Sequence, residues 1–316
     1  MKLFVTLSIL LAMAPSYAQT SNAPLKLIVP FVAGGGVDVS ARLIAKQLQT
    51  NLGVTVVVEN RPGASGTVGG KAVQGAAPDG NTLLYSASTH VLAKHVLASA
   101  PYDPLTDFAP VARVAEAPLL MVIAPNLPQR TMREVLDAAK KEPSKWTAAL
   151  PALGAASHIG TLLFAAQGDL KLTTAAYRGT APALTDVAGG HSQILIDSII
   201  ALSPMARDGR VRAIATTAAQ RSNVTPDVPT AVESGFPKLV YSSWYGIWAP
   251  KDTPKTRVET LNQAINKAVA DISKAGGFAS LGVVPVTESI EQFTRFMDED
   301  VKNSALLLKT SGFKPE

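Results

Sequence analysis

The strongest constraint on the fold is a repeated alternation: a short apolar run, a loop of glycine or small hydroxyl residues, then a stretch with helical periodicity. Leu25-Lys26-Leu27-Ile28-Val29 reads as a buried strand and Ala33-Gly34-Gly35-Gly36 as a loop. Asp38 reads as the N-cap of a helix with an apolar stripe of Val39, Leu43, Ile44 and Leu48, closed by Gly53. Val54 to Val58 is a β-branched strand, and Thr82 to Tyr85 another, entered through the turn Pro78-Asp79-Gly80. The order predicts a parallel, doubly wound α/β sheet. A second set follows. Thr131 with Glu134 forms a capping box for a helix reaching about Lys141, Trp146 to Leu150 is extended, and Ile159 to Gln167 is helical. Leu172 to Tyr177, a helix from about Thr180, Ile194 to Ile196 and Val211 to Thr216 complete it.

Two apolar strands end alike, Leu119 to Ala124 before Pro125 and Tyr245 to Ala249 before Pro250. They bracket the second unit, so the chain is expected to leave a first lobe near residue 120 and return near 245, a two-strand hinge. That reading gives lobe one as 19–120 and 246–316 and lobe two as 121–245. A helix over about Thr256 to Lys274, a strand at Val283 to Val286 and a helix from Glu288 to Lys309 would pack back on lobe one. Pattern alone also admits one large domain with both runs as ordinary core strands.

The N-terminus predicts export. Lys2 precedes an apolar stretch from Leu3 to Ala14, and Ser16-Tyr17-Ala18 places small residues where a signal peptidase reads, so residues 1–18 are expected to be a signal peptide cleaved after Ala18. The stretch is short of the roughly 20 residues that span a bilayer. Without any cysteine, disulfides, thiolate metal sites and cysteine nucleophiles are excluded. Lys+Arg 29 against Asp+Glu 24 leaves +5, but the basic residues form no run, so no nucleic-acid surface is expected.

The chemistry is expected where strands give way to helices, because helix N-termini present unpaired N–H groups and partial positive charge to a ligand. Four junctions stand out: Gly34-Gly35-Gly36-Val37-Asp38, Ser86-Ala87-Ser88-Thr89, Gly154-Ala155-Ala156-Ser157-His158 and Arg178-Gly179-Thr180-Ala181-Pro182. Each taken alone is a plain helix cap; together they suit a carboxylate ligand. Asp38 is a cap that could also accept from a ligand, and Asp197, at a strand end with no capping duty, is the stronger candidate to face a cleft. His158 reads either as a structural histidine or as a ligand contact, and Arg178 either as a solvated loop residue or as a bidentate clamp. His90, His95 and His191 lack the spacing of metal ligands, so no metal or cofactor is expected.

Enzyme motifs fail on spacing. Gly63-Ala64-Ser65-Gly66 is no nucleophile elbow, and neither a Walker loop nor a metalloprotease signature occurs. A dinucleotide-dependent enzyme is the rival: Gly34 and Gly36 sit between strand and helix, with Glu59 ending the next strand. Val39 occupies the third glycine position, however, and Pro30-Phe31 lengthens the loop.

At the level of whole motifs, Val29-Pro30-Phe31-Val32-Ala33-Gly34-Gly35-Gly36-Val37-Asp38-Val39-Ser40-Ala41-Arg42 resembles the opening of the Bug receptors, the extracytoplasmic solute-binding proteins of tripartite tricarboxylate transporters. Glu59-Asn60-Arg61-Pro62-Gly63-Ala64-Ser65-Gly66, Pro78-Asp79-Gly80, Tyr102-Asp103-Pro104 with Asp107-Phe108-Ala109-Pro110-Val111, and Tyr177-Arg178-Gly179-Thr180-Ala181-Pro182-Ala183-Leu184 resemble the same family, in order.

The resemblance implies a type II periplasmic binding-protein fold, two lobes closing on one small carboxylate: a di- or tricarboxylate, an acidic amino acid or an aromatic acid. It implies a periplasmic receptor and not an enzyme, a monomer that delivers its ligand to membrane transporter subunits, with a sensor lacking a transporter as the alternative. Lobe-one contacts are expected from Gly34, Gly35, Gly36 and Asp38 and from Ser88 and Thr89. Lobe-two contacts are expected from Gly154, Ser157, His158, Arg178, Gly179, Thr180 and Ala181, with Asp197 as the strand-end acid. Two departures touch the ligand. The family's Gly-x-Gly-Ser before the histidine is Ala152-Leu153-Gly154-Ala155 here, and the glutamine, apolar residue and aspartate after Gly189-Gly190 are His191-Ser192-Gln193. Both favour an apolar or less heavily charged acid over citrate.

Overall fold

The computed structural model describes residues 23–316, so the predicted signal peptide lies outside the described residues. The first unit runs β1 (Leu25–Val29), α1 (Gly36–Leu52), β2 (Val56–Asn60), α2 (Thr67–Gln74), β3 (Thr82–Ala87), then two single turns, α3 (Ser88–Val91) and α4 (Ala93–Val96). β1 pairs in parallel with β2 on one side and β3 on the other, as the alternation predicts. Gly53, at φ +66°, stops α1 as a left-handed C-cap donating its N–H to the Gln49 carbonyl.

The sheet is mixed, not wholly parallel. β4 (Phe108–Ile123) is a single strand of 16 residues, far longer than the run the sequence marks at its end. Its first part, through Pro118, pairs antiparallel with β9 (Ser242–Pro250), and β9 pairs antiparallel with β3. From Leu119 onward β4 leaves β9 and enters a second sheet. There it lies antiparallel to β7 (Ile194–Ser198) and β8 (Arg212–Thr216). One strand thus belongs to both sheets, and the return into β9 is tied where the Tyr241 N–H donates to the Thr217 carbonyl at 3.3 Å.

The second unit runs α5 (Met132–Lys141), β5 (Thr147–Leu150), α6 (Ala156–Ala166), β6 (Thr173–Ala176) and α7 (Thr180–Ala188). After β7 comes α8 (Ile199–Arg207), before β8. β5 pairs in parallel with both β6 and β7. The predicted capping box is present: Thr131 Oγ1 accepts from the Glu134 N–H at 3.2 Å, and the Glu134 carboxylate accepts from the Thr131 N–H at 3.2 Å.

After β9 the chain forms α9 (Lys255–Lys274), β10 (Val284–Pro285) and α10 (Ile290–Thr310). α9 buries Val258, Leu261, Ile265 and Val269 against β1, β3 and the first part of β4, sharing that face with α1. α10 covers the opposite face, where Phe293 packs edge-on against Trp244 at 5.8 Å between ring centres. The same apolar cluster continues into Leu150, Leu153 and Ile159 of the second unit, so α10 and the tail beyond it touch both lobes.

Candidate functional site

Between the two sheets lies a cavity of about 40 Å³. The first unit supplies Phe31, Gly35, Gly36, Val37, Ala87 and Thr89, the second unit supplies Pro151, Ala152, Ala155, Ala156, Gly179, Thr180, Asp197 and Ser198, and the returning strand β9 adds Ser243 and Tyr245. The lobes touch around it. A methyl at Gly35 would come within 3.3 Å of Thr180 Oγ1, and one at Gly179, where φ is +134°, within 2.8 Å of a Val32 methyl. Gly36 is more tightly constrained, since a β-carbon there would lie 2.6 Å from the Tyr245 hydroxyl and 2.8 Å from Ser198 Oγ. That hydroxyl and Ser198 Oγ are themselves hydrogen-bonded at 2.8 Å, linking β9 to the end of β7.

Helix starts converge on this space. The N-terminal ends of α1, α6 and α7 open into it at Gly35-Gly36, Ala155-Ala156 and Gly179-Thr180, and Ser198 immediately precedes α8. Free N–H groups and the positive end of the helix dipole therefore face the cavity from both lobes. Among the described lining residues none is Lys, Arg or His, and the only carboxyl is Asp197.

Asp197 is 7% exposed and accepts a 2.6 Å hydrogen bond from Thr180 Oγ1. Burial pushes its pKa above the ordinary carboxylate value, a shift that the Thr180 hydroxyl and the Ser198 N–H only partly offset.

Asp38 is not the N-cap. Gly35 is, in the extended conformation a cap needs, and Asp38 is the third helical residue, whose side chain reaches back as the acid of a capping box does. It accepts from the Gly34 N–H at 3.0 Å, Asn60 Nδ2 at 2.9 Å and Arg42 Nε at 3.1 Å, with an Arg42 terminal nitrogen at 3.0 Å. Burial pushes its pKa up, but Arg42, Gly34 and Asn60 together outweigh that and hold it below the usual range. Asn60 Nδ2 also donates to the Phe31 carbonyl at 3.0 Å, so the cluster fixes the loop that carries Phe31 and the glycines.

The remaining sequence candidates divide. Gly35, Gly36, Thr89, Gly179, Thr180 and Asp197 line the cavity; Gly34, Asp38, Ser88, Gly154, Ser157, His158 and Ala181 do not. Gly154, at φ +72°, is turned toward Val96 and Leu92. His158 takes the structural course: its Nδ1 accepts from the Gly154 N–H at 3.2 Å, its ring meets Phe313 edge-on at 4.8 Å, and burial lowers its pKa to about 4, so it is neutral. Arg178 lines a second cavity at the cleft rim. Phe31, Ser198, Ser243 and Tyr245 were missed. Phe31 sits in the glycine-loop motif and could have been found there, whereas Tyr245 is hidden in an apolar run that reads as core. Among the described residues no group of three His, Cys, Asp or Glu is placed to hold a metal ion.

Residues 40–313 match the family model described as the tripartite tricarboxylate transporter family receptor. The chain is 36% identical over 304 residues to Protein BugT of Bordetella pertussis, covering 95% of this chain and 93% of that protein. It superposes on MatC (Rpa3494) from Rhodopseudomonas palustris with bound malate at a TM-score of 0.84 and 30% identity, covering 90% of this chain and 98% of that one. On R. palustris Rpa4515 with adipate the TM-score is 0.88 at 30% identity, over 93% of this chain and 98% of that one.

Proposed function

This chain belongs to the tripartite tricarboxylate transporter receptor family, and from that premise we propose that it is a periplasmic receptor that captures a small carboxylate between its lobes and delivers it to membrane transporter subunits. The observation that carries the reading is the convergence of the α1, α6 and α7 N-termini on one cavity without a cationic side chain among its described lining residues. Such a site holds an anion by backbone N–H groups and hydroxyls, which need no desolvated counter-charge. Thr89 and the hydrogen-bonded pair of Ser198 and Tyr245 supply the hydroxyls, while the Thr180 hydroxyl donates to Asp197. Asp197 is the one acid among the described lining residues, and burial shifts its pKa upward, toward the neutral form that an anionic guest favours. Malate and adipate, bound by the two structural relatives, are acids of this kind. A receptor asks for no nucleophile or general base, and the ligand is released unchanged. Among the described residues no helix is long and apolar enough to cross a membrane.

A thermal-shift panel tests this. Mono- and dicarboxylates at about 100 times their Kd should stabilise the protein by about 2.7 kcal/mol, and their amides should not, because a neutral amide loses the charge-assisted hydrogen bonds. Stabilisation by neutral sugars or amines, with none by any acid, would overturn the reading.

A further inference from the structure

We propose that capture of the acid is coupled to uptake of one proton by the Asp197 carboxyl, so that the receptor holds its ligand more tightly in acidic than in alkaline surroundings. The inference rests on the carboxylate-receptor reading and adds how that same site is regulated.

The cavity gives an anion no way to keep its distance from this acid. At about 40 Å³ it has room for about three water-sized groups, and Asp197 is part of its wall. A carboxylate lodged there is a near neighbour of Asp197, with the water between them displaced. Two carboxylates in one small volume cannot both stay ionised without a cation, and one of them takes up a proton. No Lys, Arg or His stands among the described lining residues. The helix N-termini do not remove the conflict, because an N–H group engaged by the guest is no longer open to Asp197.

The elements around Asp197 bring no compensating charge either. Leu119 to Ile123 of β4, which pair with β7, include no titratable residue, and neither does β5. On α1, Asp38 and Arg42 hold one another, and on α6 burial keeps His158 neutral. Asp186 of α7 accepts from the Tyr177 hydroxyl at 2.7 Å, and Arg207 stands in the last turn of α8, at the opposite end of that helix from Ser198. Tyr245 of β9 borders the cavity, but burial pushes its phenol up, so it stays a neutral hydroxyl. Asp197 is left with the Thr180 hydroxyl at 2.6 Å and the Ser198 N–H. Burial already raises its pKa, and an incoming anion acts in the same direction. Once protonated, the carboxyl O–H donates to a ligand oxygen, which turns a repulsion into a hydrogen bond. The proton comes from solvent, and no other group changes charge.

Calorimetric titration of the full chain tests this, with malate, adipate and any other stabilising acid that lacks an amino group. It is run at about pH 6.5 to 9, above the ordinary range of the ligand's own carboxyls, in buffers of different ionisation enthalpy that count protons. Wild type should take up close to one proton per ligand, and Kd should weaken by up to about tenfold per pH unit above the unliganded Asp197 value. In Asp197→Asn the uptake should vanish and Kd should be flat with pH. Zero uptake with a flat Kd in wild type, or an undiminished uptake in Asp197→Asn, overturns the coupling and leaves the carboxylate receptor standing. So does binding confined to amino acids, whose ammonium would compensate an ionised Asp197. Failure of every acid to bind removes both readings. Should Asp197→Asn not fold, the proton count in wild type decides the matter.

Discussion

Two buried acids near strand-to-helix junctions, one in each unit, have opposite fates. Asp38 stands at the start of α1 and Asp197 at the end of β7, and both are buried, 3% and 7% exposed. Asp38 is surrounded by donors from Gly34, Arg42 and Asn60, so its charge is compensated and its work is to hold the glycine loop. Asp197 has the Thr180 hydroxyl and the Ser198 N–H and no cation, and it faces the cavity. A buried carboxyl that is fully partnered is structural, whereas one left under-compensated retains hydrogen-bonding capacity for a guest.

The contrast is breakable. Asp38→Ala strands a backbone donor and two side chains, and because Arg42 is half exposed and screened, the expected loss of stability is about 2 kcal/mol, read from the urea midpoint. Lost ligand affinity at unchanged stability would instead make Asp38 a contact residue. Tyr245→Phe comes next, since it removes the 2.8 Å bond to buried Ser198 Oγ that joins β9 to the end of β7. It should cost about 1 kcal/mol, again by denaturation. The smallest effect belongs to Asp197→Asn, expected to change stability by no more than about 0.5 kcal/mol at neutral pH.

The pH dependence of stability sharpens the comparison, because the two shifts have opposite sign. Asp38 has its pKa lowered, so its contribution is present above the ordinary carboxylate value and is lost as pH falls through its folded value. Asp197 has its pKa raised, so the folded chain keeps a proton that the unfolded chain has released. Stability from that site is lost as pH rises from the ordinary value through the folded one. Denaturation across about pH 3 to 8 should therefore show a slope that Asp197→Asn flattens on its alkaline side and Asp38→Ala on its acid side. Identical profiles for the two variants would remove the distinction.

Much of the local structure was legible in the residues. The Thr131 and Glu134 pair, the Gly53 stop, the strands around Ile28 and Leu84 and the helix from Thr180 all depend on neighbours a few positions away, and all are found. The Asp38 role was half legible: an acid at the start of a helix was evident, but Gly35 is the cap, and Asp38 in the third helical position reaches back past it to the Gly34 N–H. His158 could be read either way until Phe313, at the far end of the chain, was seen against its ring.

By itself the sequence determined the alternation of elements, the positions where the backbone must be glycine, and the absence of thiol chemistry, since these follow from side-chain periodicity, φ preference and composition. Only the tertiary structure decided that β4 is shared between two sheets, that Ser198 and Tyr245 meet across 47 residues, and that of two similar acids one is neutralised and the other is not. The reason is physical: pairing across a sheet, desolvation and charge compensation depend on which distant groups share a small volume. An acid's hydrogen-bonding future is set by those neighbours more than by its own place in the chain.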